Sequence, residues 1–181
     1  MITPDEVLAF WFDGDPATHR KIWFEKDPVF DTACARFAEA LREAKSGAYD
    51  GWTVTPKGTL ALLILLDQLS RNLHRNSPEA FAADAKARAI ARAAVAAGVD
   101  RALEPVERMF VYLPFGHSED LADQDEALGL FATLGGESTG YAQRHRDVIA
   151  RYGRFPHRNA ALGRASTPEE LDYLAQPGAG F

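Results

Sequence analysis

Cysteine is almost missing from this chain of 181 residues, with Cys34 its single example. No internal disulfide can form, which excludes a disulfide scaffold and favours a reducing compartment, so a cytoplasmic location is the expectation. Long hydrophobic runs are also lacking. The longest strongly apolar run is Leu60 to Leu66, ended by Asp67, whereas a membrane-spanning helix needs about 20 such residues. The opening Met1-Ile2-Thr3-Pro4-Asp5-Glu6 is acidic where a secretory signal is basic, so neither a membrane span nor an export signal is expected. No His-Glu-x-x-His pair and no cysteine cluster occurs, and no bound metal is expected. Gly135 and Gly140 have phosphate-loop spacing, but Tyr141 stands where the lysine belongs, which argues against a nucleotide site of that kind. Gly116-His117-Ser118-Glu119-Asp120 lacks the second glycine of a nucleophile elbow, and no strand pattern precedes it.

The composition that remains is 46% hydrophobic and 25% charged, within the ordinary globular range. At this length folding buries roughly 70% of the surface the unfolded chain exposes, enough for a core without staples. Helix signals recur and strand signals do not. Thr3-Pro4-Asp5-Glu6 reads as a cap, a proline in the first turn and acids beside it. Asp27-Pro28 opens a second helix with Phe30, Cys34, Phe37, Leu41 and Ala44 on one stripe, closed by Ser46-Gly47. Thr55-Pro56 begins a central helix through Leu60 to Leu66. Ser77-Pro78-Glu79 starts another, in which eleven of the eighteen residues from 80 to 97 are alanine, the strongest helix former. Glu104-Pro105 leads into a helix that Pro114 and Gly116 should break. Ser118-Glu119 should cap the next, to about Leu134. Ser138 or Thr139 caps one more that Gly153 ends, and Ser166-Thr167-Pro168-Glu169-Glu170 caps the last. The expectation is a single all-α domain over 1–181, a compact bundle or short solenoid of seven to nine helices.

Charge is unevenly distributed. The whole chain carries -6. Between Tyr141 and Arg164 six arginines face one acid, Asp147, a local balance of +5 that leaves -11 elsewhere. Between Ser118 and Glu126 there are five acids and no base. The acidic total argues against nucleic acid as a partner. Arginine outnumbers lysine 15 to 5, which suits planar, bidentate partners. The two stretches either neutralise each other or leave a real anion site.

Three polar clusters interrupt the apolar pattern. Asp67, Gln68, Arg71 and Asn72 end the central helix, with Asp67 and Arg71 one turn apart on a face continuous with the buried run. Tyr112, His117, Ser118 and Glu119, with Gln124 further on, place a possible base, a cap and an acceptor in one tight loop. Arg154, His157, Arg158 and Asn159 pack two guanidinium forks, an imidazole and an amide into six residues stiffened by Pro156, which suits a carboxylate or phosphate.

Asp67-Gln68-Leu69-Ser70-Arg71-Asn72, Glu107-Arg108-Met109-Phe110-Val111-Tyr112-Leu113-Pro114-Phe115, His117-Ser118-Glu119 and Gly153-Arg154-Phe155-Pro156-His157-Arg158-Asn159 resemble the signatures of the domain of unknown function 924 family. The resemblance runs from Phe10-Trp11-Phe12 to the Ser166–Glu170 cap. It departs at Leu69-Ser70, where the family usually has phenylalanine and proline. It implies an all-α fold similar to tetratricopeptide-repeat proteins and supplies no reaction.

Two functions follow as expectations. In the first, an anionic small molecule is held by Gln68, Arg71, Asn72, Tyr112, Gln124, Arg154, Arg158 and Asn159. His117 or His157 then moves a proton, with Asp67 or Glu119 orienting the imidazole, for acid/base or hydrolytic chemistry. In the second, the chain is a helical scaffold for a protein or peptide, and the same polar residues are inter-helix locks. The sequence assigns no cofactor.

Overall fold

A computed structural model describes residues 2–180. Among them every regular element is helical. Counting each uninterrupted rod once gives eight, within the seven to nine expected from the caps and breakers. These residues form two compact units. The first takes the chain up to Arg75 together with Glu79–Pro114, and the second takes Asn76–Pro78 and the chain from Phe115 onward.

The first unit is built around the central rod. Helix α1 (Pro4–Phe12) begins at the expected cap: the Thr3 hydroxyl accepts from Glu6 N–H and the Glu6 carboxylate accepts from Thr3 N–H, a reciprocal box that satisfies two otherwise orphaned donors. Helices α2 (Pro28–Cys34) and α3 (Ala38–Ser46) are joined without a break by a 3-10 turn at Ala35–Phe37, so the single apolar stripe of the sequence is one rod with a tightened waist. Helix α4 (Pro56–Leu63) starts at the Thr55 cap, whose hydroxyl accepts from Gly58 N–H. It then widens into π-helix over Ile64–Leu69 before α5 (Ser70–Leu73). Leu60 to Leu66 are all fully buried. Leu62, Leu63 and Ile64 would face different directions on a narrow helix, and complete burial of the run fits a rod surrounded by α1, α3 and α6 (Asp84–Ala96). The alanine-rich helix α6 begins at Asp84 and not at Ser77, because Pro78–Ala80 forms a separate 3-10 turn. Its Ala87, Ala91 and Ala94 let it approach the core closely. Trp11, Trp23, Phe12 and Phe110 stack beside this core, with Trp23 and Phe110 edge-on at 4.9 Å.

Helix α7 (Pro105–Gly116) runs through Pro114, where a break was expected. A proline forfeits one backbone donor and crowds the preceding turn, and so close to the helix end the remaining residues still complete the last turn.

In the second unit, α8 (Leu121–Ala132) and α9 (Ser138–Tyr152) pack against each other. The cap of α8 is Asp120, whose carboxylate accepts from Ala122 N–H. Ser118, expected as the cap, instead accepts from Asp120 N–H and donates to Asp123 Oδ2 at 2.5 Å. Likewise α9 begins after Glu137, with neither Ser138 nor Thr139 as a side-chain cap. Gly153 ends α9 in the left-handed region at φ 68°, where a Cβ is disfavoured. A 3-10 turn at Pro156–Arg158 leads to α10 (Pro168–Leu174), which Thr167 and Glu170 close with a second reciprocal box. Val148, Ile149 and Phe155 form a local core with Tyr152 and Tyr173 against it.

Candidate functional site

The first polar cluster lies on the π-helical stretch of the first unit. Five-residue hydrogen bonding adds a residue to the turn, and such bulges recur at functional sites. Asp67, 1% exposed, is bonded by Arg71 at 3.0 Å and by Gln68 Nε2 at 2.5 Å. Arg71 reaches on to Asp84 at 3.0 Å and back to the Asp67 carbonyl at 2.7 Å. Asn72 donates to Asp31, which also holds Arg75. Tyr112 is fully buried; it donates to Asp100 at 2.6 Å and accepts from Arg108. Burial first, and then the Asp100 carboxylate, raise the Tyr112 phenol above its ordinary value of 10.0. These five predicted residues therefore take part in ion-pair and hydrogen-bond networks inside one unit.

In the second unit the predicted residues divide into two groups. Arg154 forks onto Glu170 at 2.6 and 2.8 Å and donates to the Ala165 carbonyl. Asn159 donates to Ser166 and Glu170 and accepts from Arg164. Glu119 accepts two bonds from Arg164 and one from Phe155 N–H at 2.7 Å. Its contacts are a guanidinium and an amide, where an imidazole was expected. Burial raises the Glu119 carboxyl, but the Arg164 bonds and then the Phe155 N–H outweigh it and hold it below 4.5. Glu170 is driven down to about 2, chiefly by Arg154 and then by Thr167 N–H. With Arg146 on Asp125 at 2.5 Å, the basic and acidic stretches do neutralise each other in part.

The second group is different in kind. His117, 9% exposed, has its ring 6.4 Å from that of His145, which is 3% exposed. Phe155 packs edge-on to His145 at 5.7 Å and beside His157 at 5.5 Å. The Arg158 guanidinium, itself buried, sits 4.5 Å from the centre of the same Phe155 ring, a cation–π arrangement. Gly180 lies so close to His157 that a Cβ there would stand 3.1 Å from the His157 Cβ. Two imidazoles and a guanidinium thus gather about one phenyl ring, and the His117 imidazole lies beside one of them, that of His145.

His145 is the member the sequence reading passed over. Its Nδ1 lies 3.0 Å from the Tyr141 carbonyl. A carbonyl only accepts, so Nδ1 carries the proton and Nε2 keeps the lone pair. Burial, followed by the charge of His117, drives the imidazole from 6.5 to about 3; His157 and Arg158 add to the effect and the Tyr141 carbonyl opposes it. The signal was present: His145 shares the buried face of α9 with Ala142, Val148 and Ile149, a polar ring set into an apolar stripe.

Gln124 completes the neighbourhood. It is wholly buried, and its Nε2 donates at 2.7 Å to both the Gly116 and Ser118 carbonyls, the residues on either side of His117. Its Oε1 is buried without a hydrogen-bond partner. Among the described residues no group of three or more His, Cys, Asp or Glu side chains is placed to hold a metal ion. Among them, too, no helix is long and apolar enough to cross a membrane.

Comparison with known proteins agrees with the motifs. No curated protein matches the chain. The solved structure of a protein of unknown function from Agrobacterium tumefaciens is similar over nearly the full length. It has 41% identity and a TM-score of 0.88, covering 95% of this chain and 96% of that one, and shares the fold. Residues 7–178 match the family described as bacterial protein of unknown function, DUF924. The resemblance first carried by the Asp67–Asn72 and Gly153–Asn159 motifs is therefore a true kinship, and the chain belongs to the DUF924 family.

Proposed function

We propose that the second unit binds a small anion at the cluster of His117, His145, His157 and Arg158, with His117 and His157 positioned to exchange a proton with it. The observation that carries this reading is the packing of His145, His157 and Arg158 about Phe155, with His117 beside His145. Positive charges brought together away from water raise one another's cost, which His145 escapes by staying neutral, and an anion beside Arg158, His117 and His157 lowers that cost. Arg158 supplies a charge that persists at every accessible pH, and the His117 and His157 imidazoles supply donors whose protonation can change. Glu119, Arg154 and Asn159 support the cluster from outside by fixing the 153–170 segment. The reading is tested by calorimetric titration with inorganic phosphate. The native chain gives saturable binding at the cluster, and Arg158→Ala lowers the affinity at least about 10-fold, the loss of one charge-assisted hydrogen bond. Equal binding by both proteins, or binding by neither, refutes it.

A second reading also has support. The Asp67–Arg71–Asp84 and Arg154–Glu170 ion pairs join side chains of the chain to one another, as structural locks would. One face of α6 presents an open, shallow groove lined by Ala85, Arg88, Ala89, Arg92, Ala93 and Ala96. In this reading the chain is a helical scaffold, and that groove is where a partner segment docks.

A further inference from the structure

The segment that follows α10, Gln176–Gly180, folds back over His157. A Cβ on Gly180 would stand 3.1 Å from His157 Cβ, 3.5 Å from Cγ and 4.0 Å from Nδ1, so the Gly180 backbone lies along the Nδ1 edge of that imidazole. His157 as a whole is half-buried, yet its Nδ1 is shut off from solvent. Gly180 also meets Tyr173: burial raises the Tyr173 phenol above 10.0, and the Gly180 backbone amide opposes the rise. One short turn thus joins the end of α10 to a side chain of the candidate site.

This cover is built to move. Gln176, Pro177 and Gly178 are exposed. The bonds at its base are local, from Gln176 N–H to the Tyr173 carbonyl at 3.0 Å and from Ala179 N–H to the Gln176 carbonyl at 3.2 Å. Gly178 and Gly180 take φ of 79° and 101°, a region that glycine enters and leaves at little cost. Lids are drawn from such weakly buried segments, whose local opening costs far less than global unfolding. We infer, on the anion-binding reading above, that Gln176–Gly180 is a strap over the His157 side of the site, which lifts to let a small anion enter or leave and settles on His157 between those events.

A gate slows entry and exit alike. Loosening it raises both rate constants by one factor and leaves Kd in place, whereas loosening a mere prop for His157 speeds exit alone and weakens binding. The experiment is NMR line-shape and relaxation-dispersion analysis of the His117 and His145 ring signals during titration with inorganic phosphate, on the native chain, Gly180→Val and Tyr173→Phe. Gly180→Val forces a branched side chain into a strained φ and against His157. Tyr173→Phe removes the phenol oxygen that the Gly180 amide meets and leaves the Gly180 contact with His157 untouched. Association and dissociation are expected to rise together, at least about 10-fold in Gly180→Val and about 5-fold in Tyr173→Phe, with Kd within about 2-fold of the native value. If Gly180→Val does not fold, Tyr173→Phe decides alone. Saturable binding with unchanged rates in both folded variants overturns the strap and leaves the anion site standing. Faster dissociation with unchanged association also overturns it, because the segment is then a prop. A native chain whose ring signals show no saturable response overturns the anion site itself and the strap with it.

Discussion

Arg164 grips Glu119 with two N–H···O bonds of 2.7 and 2.9 Å. The same guanidinium reaches the Phe155 carbonyl and the Asn159 side chain, so one fork ties the entry to α8 to the loop that carries His157 and Arg158. A planar, five-donor group can do this and an ammonium cannot. Arg164→Ala should cost about 1–3 kcal/mol of unfolding free energy, and Arg164→Lys should recover less than half of it. Urea unfolding of the two variants measures both numbers.

Acid should loosen the second unit through Glu119 and Glu170. Both carboxyls are held below the ordinary 4.5 when folded, Glu170 at about 2. A lowered folded pKa contributes stability that is present above the unfolded value and is lost as pH falls toward the folded one. The loss from this source should therefore run from about pH 4.5 down to about 2. Glu170→Gln should be less stable than the native chain at neutral pH and should show a flatter decline in that window, read from urea midpoints against pH.

His145 adds a separate and earlier window. Its imidazole falls from 6.5 to about 3 on folding, so the unfolded chain takes up a proton that the folded chain refuses. Stability is unaffected above pH 6.5 and declines below it by about 1.4 kcal/mol per pH unit. His145→Gln should remove this slope between pH 6 and 5. In the native chain the His145 ring signals should not titrate from pH 8 to pH 5 by NMR, and a midpoint near 6.5 would contradict the burial argument.

Gly58 should tolerate no side chain. A Cβ there would stand 2.2 Å from the Trp52 carbonyl and 2.8 Å from Thr55 Oγ1, and the first of these is backbone that cannot swing aside. Ala normally favours a helix over Gly by about 1 kcal/mol, yet Gly58→Ala should destabilise by about 1–3 kcal/mol through overpacking. Thermal unfolding of this variant gives the sign directly.

Much of the fold was legible in the sequence, because helix ends carry local chemistry. Thr3, Asp27, Thr55 and Thr167 all cap the helices expected of them. Ser118 misled because a serine before an acidic run fits a cap, whereas the helix starts two residues later, where Asp120 takes the Ala122 N–H and Ser118 is left with the Asp120 N–H and Asp123. The π-helix at Ile64–Leu69 was illegible, since hydrophobic continuity does not reveal which carbonyl each amide chooses. The polar clusters are visible in the sequence, but their pairings depend on residues far apart in the chain, as with Glu119 and Arg164. His145 is hard to read for the opposite reason: the arginines dominate the charge pattern of this stretch, while the informative feature is one imidazole on an apolar face.

The central claim is that His117, His145, His157 and Arg158 act as one anion site, and the most direct measurement is NMR titration of the three imidazoles with inorganic phosphate near pH 7. The account predicts that all three rings shift along one saturable curve with a shared Kd, while His19 and His74 stay still, and that Arg158→Ala removes the response. Imidazole signals that do not move, or that move equally at His19 and His74, would contradict it.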